Sequence, residues 1–141
     1  MGKIICGFSC IGKSSIEKFD KKFTYFDLDS TYFKKNEGWE EVYIECAKAL
    51  ALVYDYVFLT TYYSVMEKLN AKNIEWTLIY PQKTLKEEYR DRAIKRHSQQ
   101  DFVENFFKRW DEHIKDCEKI KNINKIELKA GQYLSSVIDQ I

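Results

Sequence analysis

The sequence has 141 residues, a length typical of one domain. It is 45% hydrophobic and 16% aromatic, enough for a substantial core, and 23 basic side chains nearly balance 22 acidic ones, for a net charge of +1. That balance argues against nucleic-acid binding through a broadly basic surface; no apolar run reaches the roughly 18 residues of a membrane span, and the first expected strand begins too close to the amino terminus to leave room for a signal peptide.

The chain reads as strands alternating with helices. Lys3-Ile4-Ile5-Cys6 is a short apolar run suited to a buried strand, and Ser14 to Phe19 can start a helix. Phe23 to Phe26 predicts a second strand that ends at Asp27-Leu28-Asp29-Ser30. Trp39, Val42, Tyr43, Cys46, Leu50 and Val53 recur at steps of three and four, the period of an amphipathic helix. Tyr56-Val57-Phe58-Leu59 is continuously apolar, as a central parallel strand should be, and ends at Thr60-Thr61. A helix over 64–72 precedes a fourth strand, Trp76 to Tyr80, closed by Pro81. A charged helix over 84–97 is broken at Ser98-Gln99-Gln100. One longer helix is expected next, with Val103, Phe106, Phe107, Trp110, Ile114 and Cys117 on one side. Lys125 to Leu128 predicts a fifth strand, and Tyr133, Leu134, Val137, Ile138 and Ile141 mark a final helix.

This alternation predicts an α/β fold, a parallel sheet with helices on both faces, because parallel strands require crossover connections. Ligands of such sheets lie beyond the carboxyl ends of the strands. That rule selects 7–15, 27–31, 60–63 and the chain from Pro81 onward.

Within the first of these, Gly7-Phe8-Ser9-Cys10-Ile11-Gly12-Lys13-Ser14 is a complete G-x-x-x-x-G-K-[ST] pattern, lying between an expected strand and an expected helix. The glycines let the backbone curl so that its N–H groups point at phosphate oxygens. Lys13 can reach β- and γ-phosphates, the Ser14 hydroxyl can ligate Mg²⁺, and the following helix would present its positive end to the same anion. Residues Gly7 through Ser15 are therefore the expected nucleotide-phosphate contacts. Cys6, Cys10, Cys46 and Cys117 form no C-x-x-C pair, and with His97 and His113 give no usual zinc spacing. They read as free thiols of a cytoplasmic protein, and both histidines read as surface residues.

With these motifs in place the chain resembles the P-loop kinase superfamily, in its adenylate-kinase and shikimate-kinase-like branch, and it also looks like small phage-encoded nucleotide kinases. The resemblance implies a single domain, a three-layer P-loop fold with five parallel strands in the order 2-3-1-4-5, ATP on the loop, an acid after strand two, and a lid after strand four that contributes arginines. Asp27 and Asp29 stand at the second place. Arg90, Arg92 and Arg96 stand at the fourth, in a lid of about 84–100. Strand three ends in Thr60-Thr61 where the broader NTPase pattern has a carboxylate. This departure weakens a motor reading more than a kinase reading.

Phosphoryl transfer depends on positioning and charge stabilisation. Asp27 is the candidate outer-shell partner of Mg²⁺, and Asp29, two residues on and hence on the same face of an extended strand, the candidate acceptor contact. The bland alternative is a turn in which Asp29 or Ser30 caps the next helix. Arg92 and Arg96, four apart on one helix face, are candidates to grip the transferred phosphoryl, or else form a solvated charged face. Tyr32, Phe33 and Trp39 either stack on a base of the acceptor or pack the helix onto the sheet. Together these residues predict an ATP- and Mg²⁺-dependent phosphotransferase for a small acceptor. Aromatics near Asp29 and the basic lid suit a nucleotide or nucleoside. A non-catalytic nucleotide-binding module and a polynucleotide kinase are the alternatives; the near-neutral charge speaks against the latter, and the missing N-K-x-D motif against a GTPase switch.

Overall fold

Strand β1 (Lys3–Gly7) is buried from Ile4 onward because it lies mid-sheet with a parallel neighbour on each side. The computed structural model describes residues 1–141, apart from the side chain of Phe19. Ile5 stands opposite Phe58 of β3 (Tyr56–Leu59) and Thr77 of β4 (Thr77–Pro81). β2 (Tyr25–Asp27) and β5 (Asn124–Leu128) form the edges, giving five parallel strands in the order β2-β3-β1-β4-β5. This is the fold class and strand order that the resemblance implies.

The connections depart from expectation in instructive places. After the loop comes a single 3₁₀ turn, Lys13–Ser15, and then one turn of helix, α1 (Ile16–Phe19). Asp20, in extended conformation, stops it and accepts hydrogen bonds from Tyr25 Oη at 2.7 Å and Lys22 N at 2.8 Å. The helical stretch after the loop is thus only seven residues, 13–19, and its macrodipole is smaller than that of a full-length helix. Pro81, expected to close β4, is instead its last residue, opposite Leu128. Its missing N–H leaves the ladder intact because Gln82 N donates to Leu128 O at 3.0 Å.

Helix α2 (Trp39–Leu50) buries Trp39, Tyr43, Ile44 and Ala47 and packs against α3 (Tyr63–Ala71). Val42 and Val53, expected on the core stripe, are exposed: the helix ends before Val53, and the buried face is centred on Tyr43 and Ala47. A 3₁₀ turn at Lys83–Leu85 leads into α4 (Lys86–Lys95). The single long helix expected next is two, α5 (Gln100–Lys108) and α6 (Trp110–Lys119), bent at Arg109. The bend lets Phe106 from α5 and Trp110 from α6 converge on Phe8, with ring centroids 5.4 and 5.3 Å away. α7 (Leu134–Val137) is short, continued by a 3₁₀ turn at Ile138–Gln140. Since β1 to β2 crosses the sheet one way and β2 to β3 the other, right-handed crossovers put α1 and α2 on opposite faces. No helix of the described residues is long and apolar enough to cross a membrane.

Candidate functional site

The loop between β1 and α1 is held from below by its own apolar side chains. Phe8 and Ile11 are fully buried, Phe8 N donates to Ile79 O at 3.0 Å, and Leu134 N donates to Ile11 O at 2.8 Å. Phe8 thus belongs to the core, and its amide is used by the sheet, not left for a phosphate. The amides of Ser9, Cys10, Ile11 and Gly12 have no hydrogen-bond partner among the described residues. Such a run of free donors, curled by left-handed conformations at Cys10 (φ 69°) and Gly12 (φ 98°), has the form of an anion-binding concavity. At Gly7 a Cβ would come within 2.9 Å of Ile11 Cδ1 and of Lys13 Cδ, so a larger residue there would displace the Lys13 side chain.

Lys13 crosses this concavity, its Nζ donating to Gly7 O at 2.6 Å. Burial lowers its pKa, Arg96 pushes the same way, and Asp27 pulls it back. Asp27 shows the mirror effect. Although open to the cleft, its carboxyl is raised above the usual carboxylate range by desolvation, with Asp29 adding to the shift and Lys13 and Arg96 opposing it. Asp27 and Asp29 point out while Leu28 between them is buried, as strand alternation requires. Asp29 also caps the 3₁₀ turn Ser30–Tyr32, accepting from Thr31 N at 2.9 Å. Cys10 is buried, and its thiol is held up by that burial despite Arg96, Lys13 and Arg92 nearby, so it is no thiolate at neutral pH.

Two cavities, of about 710 and 530 Å³, both take Cys10, Ser14 and Arg96 into their walls. The larger brings Lys13, Asp27 and Asp29 together with Thr60, Tyr62 and the α5–α6 wall. The smaller lies against Gly12, Ser15, Arg92, Lys95 and Tyr133.

The two candidate arginines share a helix face but not an environment. Arg92 is wedged between the Tyr89 and Tyr133 rings, 4.3 and 3.8 Å from their centroids. Its Nη1 donates to Cys10 O at 3.0 Å, and its Nη2 to Gln132 O and Glu88 Oε2 at 2.8 Å each. Glu88 in turn accepts from Gly131 N. Arg92 therefore ties the phosphate loop to the segment after β5, whereas exposed Arg96 donates to Ser98 Oγ at 2.9 Å and borders both cavities. Of the segment 84–100, Tyr89 and Ala93 are fully buried, and the end near Arg96 is what faces open space. Arg90 is exposed and lines neither cavity.

Sequence reasoning missed three residues. Buried Tyr43 donates to Leu28 O at 2.7 Å and accepts from Thr60 N at 2.9 Å, so one phenol joins the tips of β2 and β3. Its position on the α2 stripe signalled burial but not this bridge. His113, read as a surface residue, lines the larger cavity and stacks on Phe106 at 4.6 Å; it falls on the α6 turn next to the buried Trp110 and Ile114. Tyr133, read only as part of the stripe of the final helix, is 42% exposed and lines the smaller cavity. Of the aromatics expected near the acceptor, Phe33 and Trp39 pack on Tyr43 and Tyr32 is exposed; none of the three lines a cavity described above.

No family model and no curated protein matches the chain. Among solved structures it is similar to a shikimate kinase from Bacteroides thetaiotaomicron, at 17% identity over 84% of this chain and 78% of that one, with a TM-score of 0.46. It is also similar to an uncharacterised protein from Eubacterium ventriosum ATCC 27560, at 12% identity over 99% and 94% of the two chains, with a TM-score of 0.50. The second likeness bears on the fold alone.

Proposed function

We propose that the protein is an ATP-dependent phosphotransferase acting on a small hydroxyl-bearing acceptor. The observation that carries this reading is the meeting of two cavities at a concavity of free amides that also contains Lys13. A binding module needs room for one ligand; transfer needs two, brought together at the phosphoryl group.

The smaller cavity takes the nucleoside end of the donor, against Tyr133. The loop amides hold its phosphates, and Lys13 shifts from the Gly7 carbonyl to the β- and γ-oxygens. The residues present suit Mg²⁺ as a phosphate-bound ion: the exposed Ser14 hydroxyl would be a direct ligand and Asp27 an outer-shell acceptor. The ion, when bound, neutralises charge developing on the phosphate oxygens. In the larger cavity Asp29 receives the acceptor's proton as its oxygen bonds to the γ-phosphorus and the bond to the departing ADP oxygen breaks. Arg96, at the junction, stabilises the phosphoryl oxygens. Arg92 acts differently from the expectation that it grips the phosphoryl group: it positions the loop through Cys10.

The test is ADP release by the purified chain with Mg²⁺ and ATP, screened against a panel of small alcohols, alongside direct ATP binding. Acceptor-dependent turnover that disappears in Lys13→Met, with the variant still folded, supports the proposal. ATP binding without acceptor-dependent turnover across a broad panel would replace it with a binding module, and full activity in Lys13→Met would remove the site assignment.

A further inference from the structure

Beside Asp29 stands a side chain that the proposed transfer leaves unused. Ser30 lines the larger cavity yet is only 7% exposed. Its carbonyl accepts from Phe33 N at 3.0 Å and from Lys35 Nζ, whereas its hydroxyl has no hydrogen-bond partner among the described residues. A buried hydroxyl without a partner is costly, and such groups are few in native proteins. The Ser30 oxygen is not fully sealed, and the space it borders is the cavity.

Its neighbours make this a surface that reads hydroxyl groups. Asp29 and Ser30 are consecutive, roughly 3.8 Å apart at Cα, and the 3₁₀ turn that begins at Ser30 lets both border one cavity. One carboxylate oxygen of Asp29 accepts from Thr31 N, which leaves the other for the acceptor. Thr60 and Thr61 line the same cavity, half-buried, and their hydroxyls also lack partners among the described residues. The Tyr43 phenol joins Leu28 O to Thr60 N, so a single clamp fixes Asp29 and Ser30 relative to Thr60 and Thr61. The wall on α5 and α6 sets no rule on charge: Glu112 and Asp116 pair with Arg109 and Lys119, and exposed Arg96 has no acidic partner among the described residues. Selection therefore falls to the hydroxyls at the strand tips.

We infer that Ser30 is a specificity-determining residue and that the acceptor is a vicinal diol. The hydroxyl facing Asp29 is phosphorylated, and its neighbour is bonded by Ser30 Oγ. This rests on the phosphotransferase reading. A serine hydroxyl both donates and accepts, as a second alcohol does. A site built to bond an OH rejects the analogue that lacks it, because its own polar group is then left unpaired. Transfer balances as ATP plus diol giving ADP, the monophosphate ester and the proton taken by Asp29; the hydroxyl at Ser30 is unchanged.

The test is equilibrium binding, to the chain saturated with Mg²⁺ and a non-hydrolysable ATP analogue, of compounds paired so that they differ by one hydroxyl. The pairs are ribonucleosides and their 2′-deoxy forms, D-ribose and 2-deoxy-D-ribose, the 5-phosphates of all of these, and cis-1,2-cyclohexanediol and cyclohexanol. Turnover with ATP follows. At least one diol should bind about tenfold or more tightly than its partner and stimulate ADP release. Ser30→Ala should abolish that preference while Tm is no lower than the parent's and the Kd of the ATP analogue is unchanged, since the hydroxyl has no partner in the protein to lose. Equal binding within every pair, no diol bound at millimolar concentration, or a preference that survives in Ser30→Ala would each overturn the inference. A clear loss of Tm in the variant would make Ser30 structural, and weaker binding of the ATP analogue would assign it to the nucleotide or its metal; either result also overturns it. The comparison of pairs on the parent chain decides the acceptor class even if the variant does not fold. Failure of the ATP analogue to bind the parent, read separately, would instead overturn the phosphotransferase reading.

Discussion

Arg92 separates a residue that holds the site from one that performs the chemistry. Its side chain is only 9% exposed, it donates to two backbone carbonyls and one carboxylate, and two tyrosine rings cover its faces. Hydrogen bonds to a charged group contribute about 1.5–3 kcal/mol each, but not additively, and Glu88 regains water when its partner is removed. Arg92→Ala should therefore cost about 3 kcal/mol, or roughly 10 °C in Tm for a domain of this size. Arg92→Lys keeps the charge beside Glu88 but loses the planar fork and both stacks, and should cost about half as much. Freed from Cys10, the loop should bind ATP more weakly, so KM for ATP rises together with the loss of Tm. An arginine that grips the transferred phosphoryl behaves in the opposite way, with kcat falling on the order of 10³-fold or more and stability unchanged. Thermal unfolding and ATP titration on the two variants decide the matter. A Tm within about 2 °C of the parent, combined with a thousandfold loss of kcat, would refute the positioning role.

Three further outcomes follow from the geometry. Asp27 has a folded-state pKa above its unfolded one, so its stabilising contribution is complete below the unfolded pKa and is lost as pH rises through the folded value. Asp27→Asn should therefore raise Tm at pH ~7, the two proteins converging toward about pH 4, while turnover falls; a lower Tm at neutral pH would mean that attraction to Lys13 outweighs burial. Tyr43→Phe leaves Leu28 O and Thr60 N without their shared partner and should cost about 1–3 kcal/mol, with a loss of turnover larger than the loss of ATP affinity. Chemical denaturation and steady-state kinetics check both parts, and an unchanged denaturation midpoint would count against the bridge. Gly12→Ala forces a side chain into φ 98° beside Tyr133 and should cost about 1–2 kcal/mol together with weaker ATP binding, measured by calorimetry; unaltered affinity would show that the cradle tolerates the strain.

Much of the fold was legible because its signals are local. The apolar run Tyr56–Leu59 is a buried strand with the expected ends, and the alternation of elements demanded a parallel sheet. The failures share a cause. The stripe over 103–117 has an uninterrupted helical period, yet the chain bends at Arg109 because Phe106 and Trp110 both reach for Phe8, about a hundred residues away in sequence. The Gly7–Ser14 pattern after the first strand could be read without knowing that only a 3₁₀ turn and one turn of α-helix would follow it.

The phosphate-loop pattern, the acids after strand two and the parallel architecture were determined by the sequence itself, since each depends on residue type and spacing over a few positions. Which arginine is free and which is pinned, and that His113 faces the same cavity as Asp27 and Asp29, were decided only in three dimensions. Charge and burial at a site are sums over side chains from distant segments, and no local pattern contains those sums.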